Sequence, residues 1–151
     1  MRVIVTGDLN WYAPELAAEV VKRLLVRYGP ELVIVHGGAP GIDWSFTQAC
    51  GDLGVRVEVH PARWDILDVP GAVIRTNKDG LRYNANAGPI RNAEMVAAGA
   101  GMCVAFHRFL RQSRGTKDCV RRAIEAGIPT YLVDSKQARP RRLRAGEARL
   151  R

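Results

Sequence analysis

The chain has 151 residues, 47% of them hydrophobic and 25% charged, with a formal net charge of +8; this fits one domain long enough to bury a core without disulfide or metal staples. The longest apolar runs, such as Leu32 to Val35, fall far short of the ~18 residues of a membrane span, so no membrane partner is expected, and Arg2 and Asp8 bracket a stretch that reads as a strand rather than a signal peptide. The three cysteines, Cys50, Cys103 and Cys119, are odd in number and lack C-x-x-C spacing, which argues against a disulfide framework or zinc knuckle and suits a reducing cytoplasm.

Arg2 to Gly7 is a β-branched run that predicts a first strand, followed by a loop over Asp8 to Ala13. A helix is expected from Pro14 to about Tyr28, because Pro14 suits a first helical turn and Leu16, Val20 and Leu24 recur at i, i+4 spacing. Gly29 and Pro30 stop it. Glu31 to His36 is apolar on both faces, as expected of a buried parallel strand. Gly37 to Gly41 turns into a helix over Ile42 to Leu53, and Val55 to His60 is a third strand.

Pro61 to Gly88 is long and irregular. Within it, Ala72 to Thr76 and Leu81 to Asn84 flank Asn77, Lys78, Asp79 and Gly80, which reads as a hairpin; the insertion, about residues 65–87, is either a lid or subunit-contact arm or a plain surface insertion. A helix over Pro89 to Ala98, a strand over Gly101 to His107, a helix over about Thr116 to Ala126 and a strand over Ile128 to Asp134 complete the pattern. Strands alternating with helices imply a Rossmann-like, doubly wound α/β fold with a mainly parallel five-stranded sheet and helices on both faces.

The domain is read as residues 1–134, and residues 135–151 as a basic C-terminal tail, disordered or helical only on binding. That tail holds seven basic residues and one acid, a net +6, which leaves +2 for the rest.

Glycine-bearing turns between strand and helix expose backbone N–H groups where anions bind. The strongest is His36-Gly37-Gly38-Ala39-Pro40-Gly41-Ile42-Asp43. It matches neither G-x-G-x-x-G nor the Walker pattern, so an ordinary dinucleotide site or NTPase is not supported. Its alternative is a tight turn without a ligand. Asp43, in a first helical turn, either serves the dipole or accepts hydrogen bonds from ribose hydroxyls. Gly7 and Asp8 end the first strand, and Trp11 in the following loop is either a core aromatic or a stacking surface for a base.

Arg91 and Asn92 lie near a helix start, where a cation opposes the macrodipole and calls for a bound phosphate or carboxylate, or a pairing with Glu94. Ser113, Gly115 and Thr116 combine capping with phosphate-binding capacity. His36, His60 and His107 end strands, but no ligand spacing accompanies them, so neither a metal site nor a cofactor is expected.

Four motifs in this order, Val-Thr-Gly-Asp, His-Gly-Gly-Ala-Pro-Gly-Ile-Asp, Gly-Pro-Ile-Arg-Asn-Ala-Glu-Met and Ser-Arg-Gly-Thr-Lys-Asp, resemble the SLOG superfamily and its YspA-like branch. The resemblance covers Met1 to Asp134 less the insertion. It implies a Rossmann-like sheet and a pocket for nucleotides or nucleotide-derived ligands. Relatives include the LOG phosphoribohydrolases, which cleave nucleoside 5′-monophosphates to base and ribose 5-phosphate, and the DNA-processing protein A family, which binds single-stranded DNA.

The LOG signature R-[KN]-x-x-M followed by P-G-G-x-G-T-x-x-E is matched by Arg91, Asn92, Met95, Gly115 and Thr116, while its catalytic glutamate falls on Cys119. Asp43 or Asp118 is then left to stand in beside Arg91 if there is catalysis. The resemblance thus implies a ligand site over Gly7, Asp8, Trp11, Gly37, Gly38, Gly41, Asp43, Arg91, Asn92, Ser113, Gly115 and Thr116. Three functions are expected in turn: a nucleotide sensor without turnover, a LOG-type hydrolase, and a single-stranded nucleic-acid binder that uses its basic tail. Self-association into a homo-oligomer is also expected.

Overall fold

A computed structural model describes residues 1–137 and 139–151; Ala138, within the segment read as a tail, lies outside the described residues. The main sheet takes five strands from the five predicted runs, β1 (Arg2–Gly7), β2 (Val33–His36), β3 (Arg56–Val59), β6 (Met102–Phe106) and β7 (Thr130–Val133), and a sixth, β8 (Arg141–Leu143), from the Arg-rich segment. The order is β3-β2-β1-β6-β7-β8, with the first five mutually parallel and β8 antiparallel to β7. The helices are α1 (Pro14–Tyr28), α2 (Ile42–Leu53), α3 (Ala87–Ala97) and α4 (Gly115–Glu125).

Alternation along each strand feeds two cores. Val3 and Val5 point to the side where α1 and α2 pack, together with Val21, Phe46 and Phe106. Ile4 and Val35 point the other way, onto Met95 of α3 and Cys119 and Ala123 of α4. This is the doubly wound arrangement expected, with helices on both faces.

The five expected strands form the parallel part, and the sheet has a sixth. Residues 139–151 do not stand apart from the domain: Arg141–Leu143 adds an edge strand with Thr130 opposite Leu143. Leu143 and Leu150 are buried against Ala105, Leu110, Val120 and Leu132. Two buried leucines are worth roughly 1.5–3 kcal/mol each, enough to dock an otherwise Arg-rich segment. Composition hid this, because the two anchors are diluted among seven cations.

Within the insertion, β4 (Ile74–Thr76) and β5 (Arg82–Asn84) form a separate antiparallel hairpin. Asn84 ties its base to the body: its Oδ1 accepts from the N–H groups of Val73 and Asn86, and its own N–H donates to Trp64 O.

Candidate functional site

In the order β3-β2-β1-β6-β7, the connections leave β1 and β6 in opposite directions, so the carboxyl ends of these neighbours form the sheet's switch point, where open α/β sheets leave a crevice. A cleft of about 330 Å³ lies there. Its walls include Gly7 and Asp8 after β1, His107 after β6, Arg91 and Asn92 from α3, and Ser113, Gly115 and Thr116 at the start of α4, together with Asp43 of α2. Sequence-distant turns thus meet in one place. Hydrogen bonds join them: Arg91 Nη1 donates to Gly37 O at 2.9 Å, Arg91 Nε to Asn92 Oδ1 at 2.9 Å, and Asn92 Nδ2 to Gly115 O at 3.2 Å.

The Gly37–Gly41 turn departs from expectation. Three of its amides are already committed inside the protein: the N–H groups of Gly37 and Ala39 donate to Asp43 Oδ2 at 3.2 and 3.1 Å, and that of Gly38 to His36 Nδ1 at 2.9 Å. A phosphate on these amides would have to displace the buried Asp43 carboxylate from Gly37 and Ala39 or the His36 ring from Gly38, so these three amides serve the fold. A side chain at Gly37 would collide with the Arg91 guanidinium, and one at Gly41 with the Asp8 carbonyl, where φ is +79°. Glycine is required here so that other groups can pass close by.

Because His36 Nδ1 accepts from Gly38, its Nε2 carries the proton and donates to Thr47 Oγ1 at 2.8 Å. Burial and the Arg91 charge lower His36 to about 4, so it is neutral. Burial pushes Asp43 up to about 6 against the pull of the Ala39 amide, the Arg91 charge and the Gly37 amide.

The turn into α4 behaves differently. Ser113 Oγ accepts from the Thr116 N–H at 3.1 Å, the cap expected of it. Gly115 and Arg114 line the cleft, and the first residues of a helix carry N–H groups with no partner within the helix. Residues 113–116 all line the cleft, so they, rather than the committed Gly37, Gly38 and Ala39 amides, are its candidate groups for an anion.

Three other expectations are corrected. Trp11 is 8% exposed, packed in the core with Arg108 stacked 4.7 Å from its ring, and does not line the cleft. Asp118 lies behind the wall: its Oδ2 accepts from Asn92 Nδ2 at 3.0 Å and from Arg122 Nε at 2.9 Å, so it orients Asn92. Arg91 is offset not by Glu94 but by the carbonyls of Gly37 and His60. Its position in the cleft stands.

Sequence reasoning missed Thr6, Leu9, Asn10, Ala39, His107 and Arg114 as lining residues. His107 had a usable signal, ending the strand beside β1. Its Nδ1 accepts from the Phe109 N–H, so Nε2 bears the proton, 4.0 Å from Asp8 Oδ2. Burial lowers its pKa against the opposing charge of Asp8. Among the described residues no cluster of His, Cys, Asp and Glu has the makings of a metal site, and no helix is long and apolar enough to cross a membrane.

A doubly wound α/β domain with a polar cleft at its switch point is the class that fold and site define. The model of the YspA, cpYpsA-related SLOG family matches residues 1–66. The Gene 61 protein of Mycobacterium phage D29 is 35% identical over 140 residues, covering 89% of this chain and 98% of that protein. The X-ray structure of DNA processing protein A (DprA) from Streptococcus pneumoniae matches in fold, with a TM-score of 0.56 at 20% identity over 87% of this chain and 49% of that chain. This chain thus spans about half the length of DprA. The chain belongs to the YspA, cpYpsA-related SLOG family.

Proposed function

We propose that the protein binds a phosphorylated nucleoside, or a ligand derived from one, in the switch-point cleft and returns it unchanged. The observation that carries this is the meeting of the β1 and β6 ends with the second turn of α3 and the start of α4 on one polar cleft. Phosphate sits at residues 113–116, favoured by the α4 dipole and by Arg114. Asp8 and Asp43 supply acceptors for hydroxyl groups in the same cleft. Membership of the SLOG family and a fold shared with a protein named for DNA processing support a nucleotide-related role.

The absence of turnover rests on Cys119, which occupies the LOG glutamate position and is fully buried against β6. Glycosidic cleavage passes through an oxocarbenium-like state that needs a carboxylate at hand, and neither cleft carboxylate takes the place of Cys119: Asp43 Oδ1 is sealed from solvent and Asp8 Oδ1 holds the Asn10 N–H. Thermal unfolding with AMP, ADP-ribose and NAD, followed by recovery of the ligand, tests the reading. A ligand that raises Tm and is recovered intact is expected. Free adenine released from AMP would instead establish a phosphoribohydrolase, and no stabilising ligand in native mass spectra or melts would remove the binding claim.

A second reading, nucleic-acid binding, is favoured by where the charge lies. Residues 108–125 and 135–151 hold thirteen of the 23 Lys and Arg and three of the 15 Asp and Glu, a net +10, while the remainder carries ten against twelve, a net −2. These segments are folded against each other: Lys117 Nζ donates to Arg111 O and Arg151 O, and Arg111 Nη2 to Ala148 O. Phe109, 63% exposed, stands among these cations and offers a base a stacking face. Affinity for a single-stranded oligonucleotide that falls steeply with salt and drops on Arg142→Glu with Arg144→Glu is expected; salt-independent binding would reject it.

A further inference from the structure

Asp43 is the carboxyl group in this cleft whose situation the fold leaves unfinished. It is 6% exposed, and only Oδ2 is used, by the Gly37 and Ala39 amides. Oδ1 is closed off from solvent and has no partner among the described residues. A buried acceptor without a donor is costly, and a ligand hydroxyl would supply one. The other carboxylates differ: Asp118 is committed to Asn92 and Arg122, and Asp8 Oδ1 already accepts from the Asn10 N–H.

We propose that Asp43 Oδ1 accepts a hydrogen bond from a ribose hydroxyl of the ligand, making Asp43 the residue that selects ribonucleotides over deoxyribonucleotides, and that the Gly38–Gly41 turn shifts as the hydroxyl engages. The inference rests on the nucleotide reading above and names its specificity. The shift follows from the sealing of Oδ1: a donor reaches it only as the groups around it yield, and the turn whose Gly37 and Ala39 amides hold Oδ2 is the segment tied to this carboxylate. Gly38 and Gly41 hold φ of +72° and +79°, so the turn is bounded by residues with wide backbone freedom.

The turn carries its own reporter. Trp44 is 54% exposed, and its indole N–H donates to Gly38 O at 3.1 Å, so a movement of the turn changes the surroundings of the ring. The groups that face Asp43 are the amides of Gly37 and Ala39 and the Arg91 guanidinium. The pKa of Asp43, near 6, makes the carboxylate the acceptor at neutral pH.

The experiment measures dissociation constants of AMP, 2′-deoxy-AMP, 3′-deoxy-AMP and ADP-ribose at pH 7.5 by calorimetry, alongside tryptophan emission, for wild type, Asp43→Asn, Asp118→Asn and Trp44→Phe. Loss of the engaged hydroxyl should weaken wild-type binding about tenfold, the worth of one hydrogen bond to a buried charged group. In Asp43→Asn the ribo and deoxy ligands should bind within about twofold of each other. Asp118→Asn should weaken all of them alike and keep the ratio. The emission change on AMP binding should vanish in Trp44→Phe.

Equal wild-type affinities for ribo and deoxy ligands, or a preference that survives Asp43→Asn, would overturn the assignment, and the first of these needs no variant to fold. Binding without any Trp44 response would overturn the shift of the turn. If none of the four nucleotides binds wild type, the nucleotide reading itself fails and the specificity falls with it.

Discussion

Two glycine turns in this molecule look alike as text and differ in what they offer. Residues 37–41 and residues 113–116 each run into a helix at the carboxyl edge of the sheet. In the first, the helix that follows sends back its own carboxylate, Asp43, and the preceding strand contributes His36, so the amides of Gly37, Gly38 and Ala39 are satisfied from within. In the second, a single hydroxyl, Ser113, takes one amide, and Arg114 and Gly115 face the cleft. Whether a glycine turn binds an anion therefore depends on the side chain in the first turn of the next helix as much as on the glycines.

The comparison is tested most strongly through pH. Asp43 rises to about 6 and His36 falls to about 4. On acidification, the folded state takes up the Asp43 proton before the unfolded state does, which adds stability between pH 6 and the ordinary carboxylate range. The unfolded state takes up the His36 proton first, which removes stability between the ordinary histidine value and pH 4. Each shift is worth about 3 kcal/mol, so the two nearly cancel in wild type. Relative to wild type, Asp43→Asn should be about 3 kcal/mol less stable at pH 4 than its difference at pH 7, and His36→Gln should change in the opposite sense. Urea unfolding at both pH values measures this, and pH-independent differences would show that the internal satisfaction of the first turn is overstated.

A smaller effect is expected from Gly37→Ala. Its methyl group meets the Arg91 guanidinium, at a cost of about 2 kcal/mol in chemical denaturation. Ser113→Ala, in the second turn, removes one cap and should cost about 1 kcal/mol or less. Arg114→Glu should change stability by less than about 0.5 kcal/mol while abolishing the thermal shift given by an anionic ligand. If Arg114→Glu unfolded the protein, or Gly37→Ala left it untouched, the contrast between a structural turn and an open turn would collapse.

Much of this was legible beforehand. Periodicity placed all four helices to within two residues at their starts, and the five parallel strands, because burial on both faces leaves apolar runs such as Ile34 and Val35. The convergence of Gly7, Arg91 and Gly115 followed from strand-to-helix turns sharing one sheet edge. What failed was anything decided by a partner distant in sequence. Nothing local says that Arg91 reaches Gly37 and His60 across the edge, or that Asp118 is taken up by Asn92. Trp11 reads as a core or rim aromatic ahead of a platform, and nothing local announces the Arg108 that lies on it. Leu143 and Leu150 acquire meaning only once β7 presents an edge for them to cover.

That edge has a practical side. A row of β7 main-chain groups is capped by residues 141–143, and open strand edges recruit other chains. Deleting the cationic segment in order to probe its charge would uncover a sticky border and the greasy patch beneath Leu150, so clumping would be mistaken for lost affinity. Charge reversal in place leaves the border shut and keeps the two effects apart.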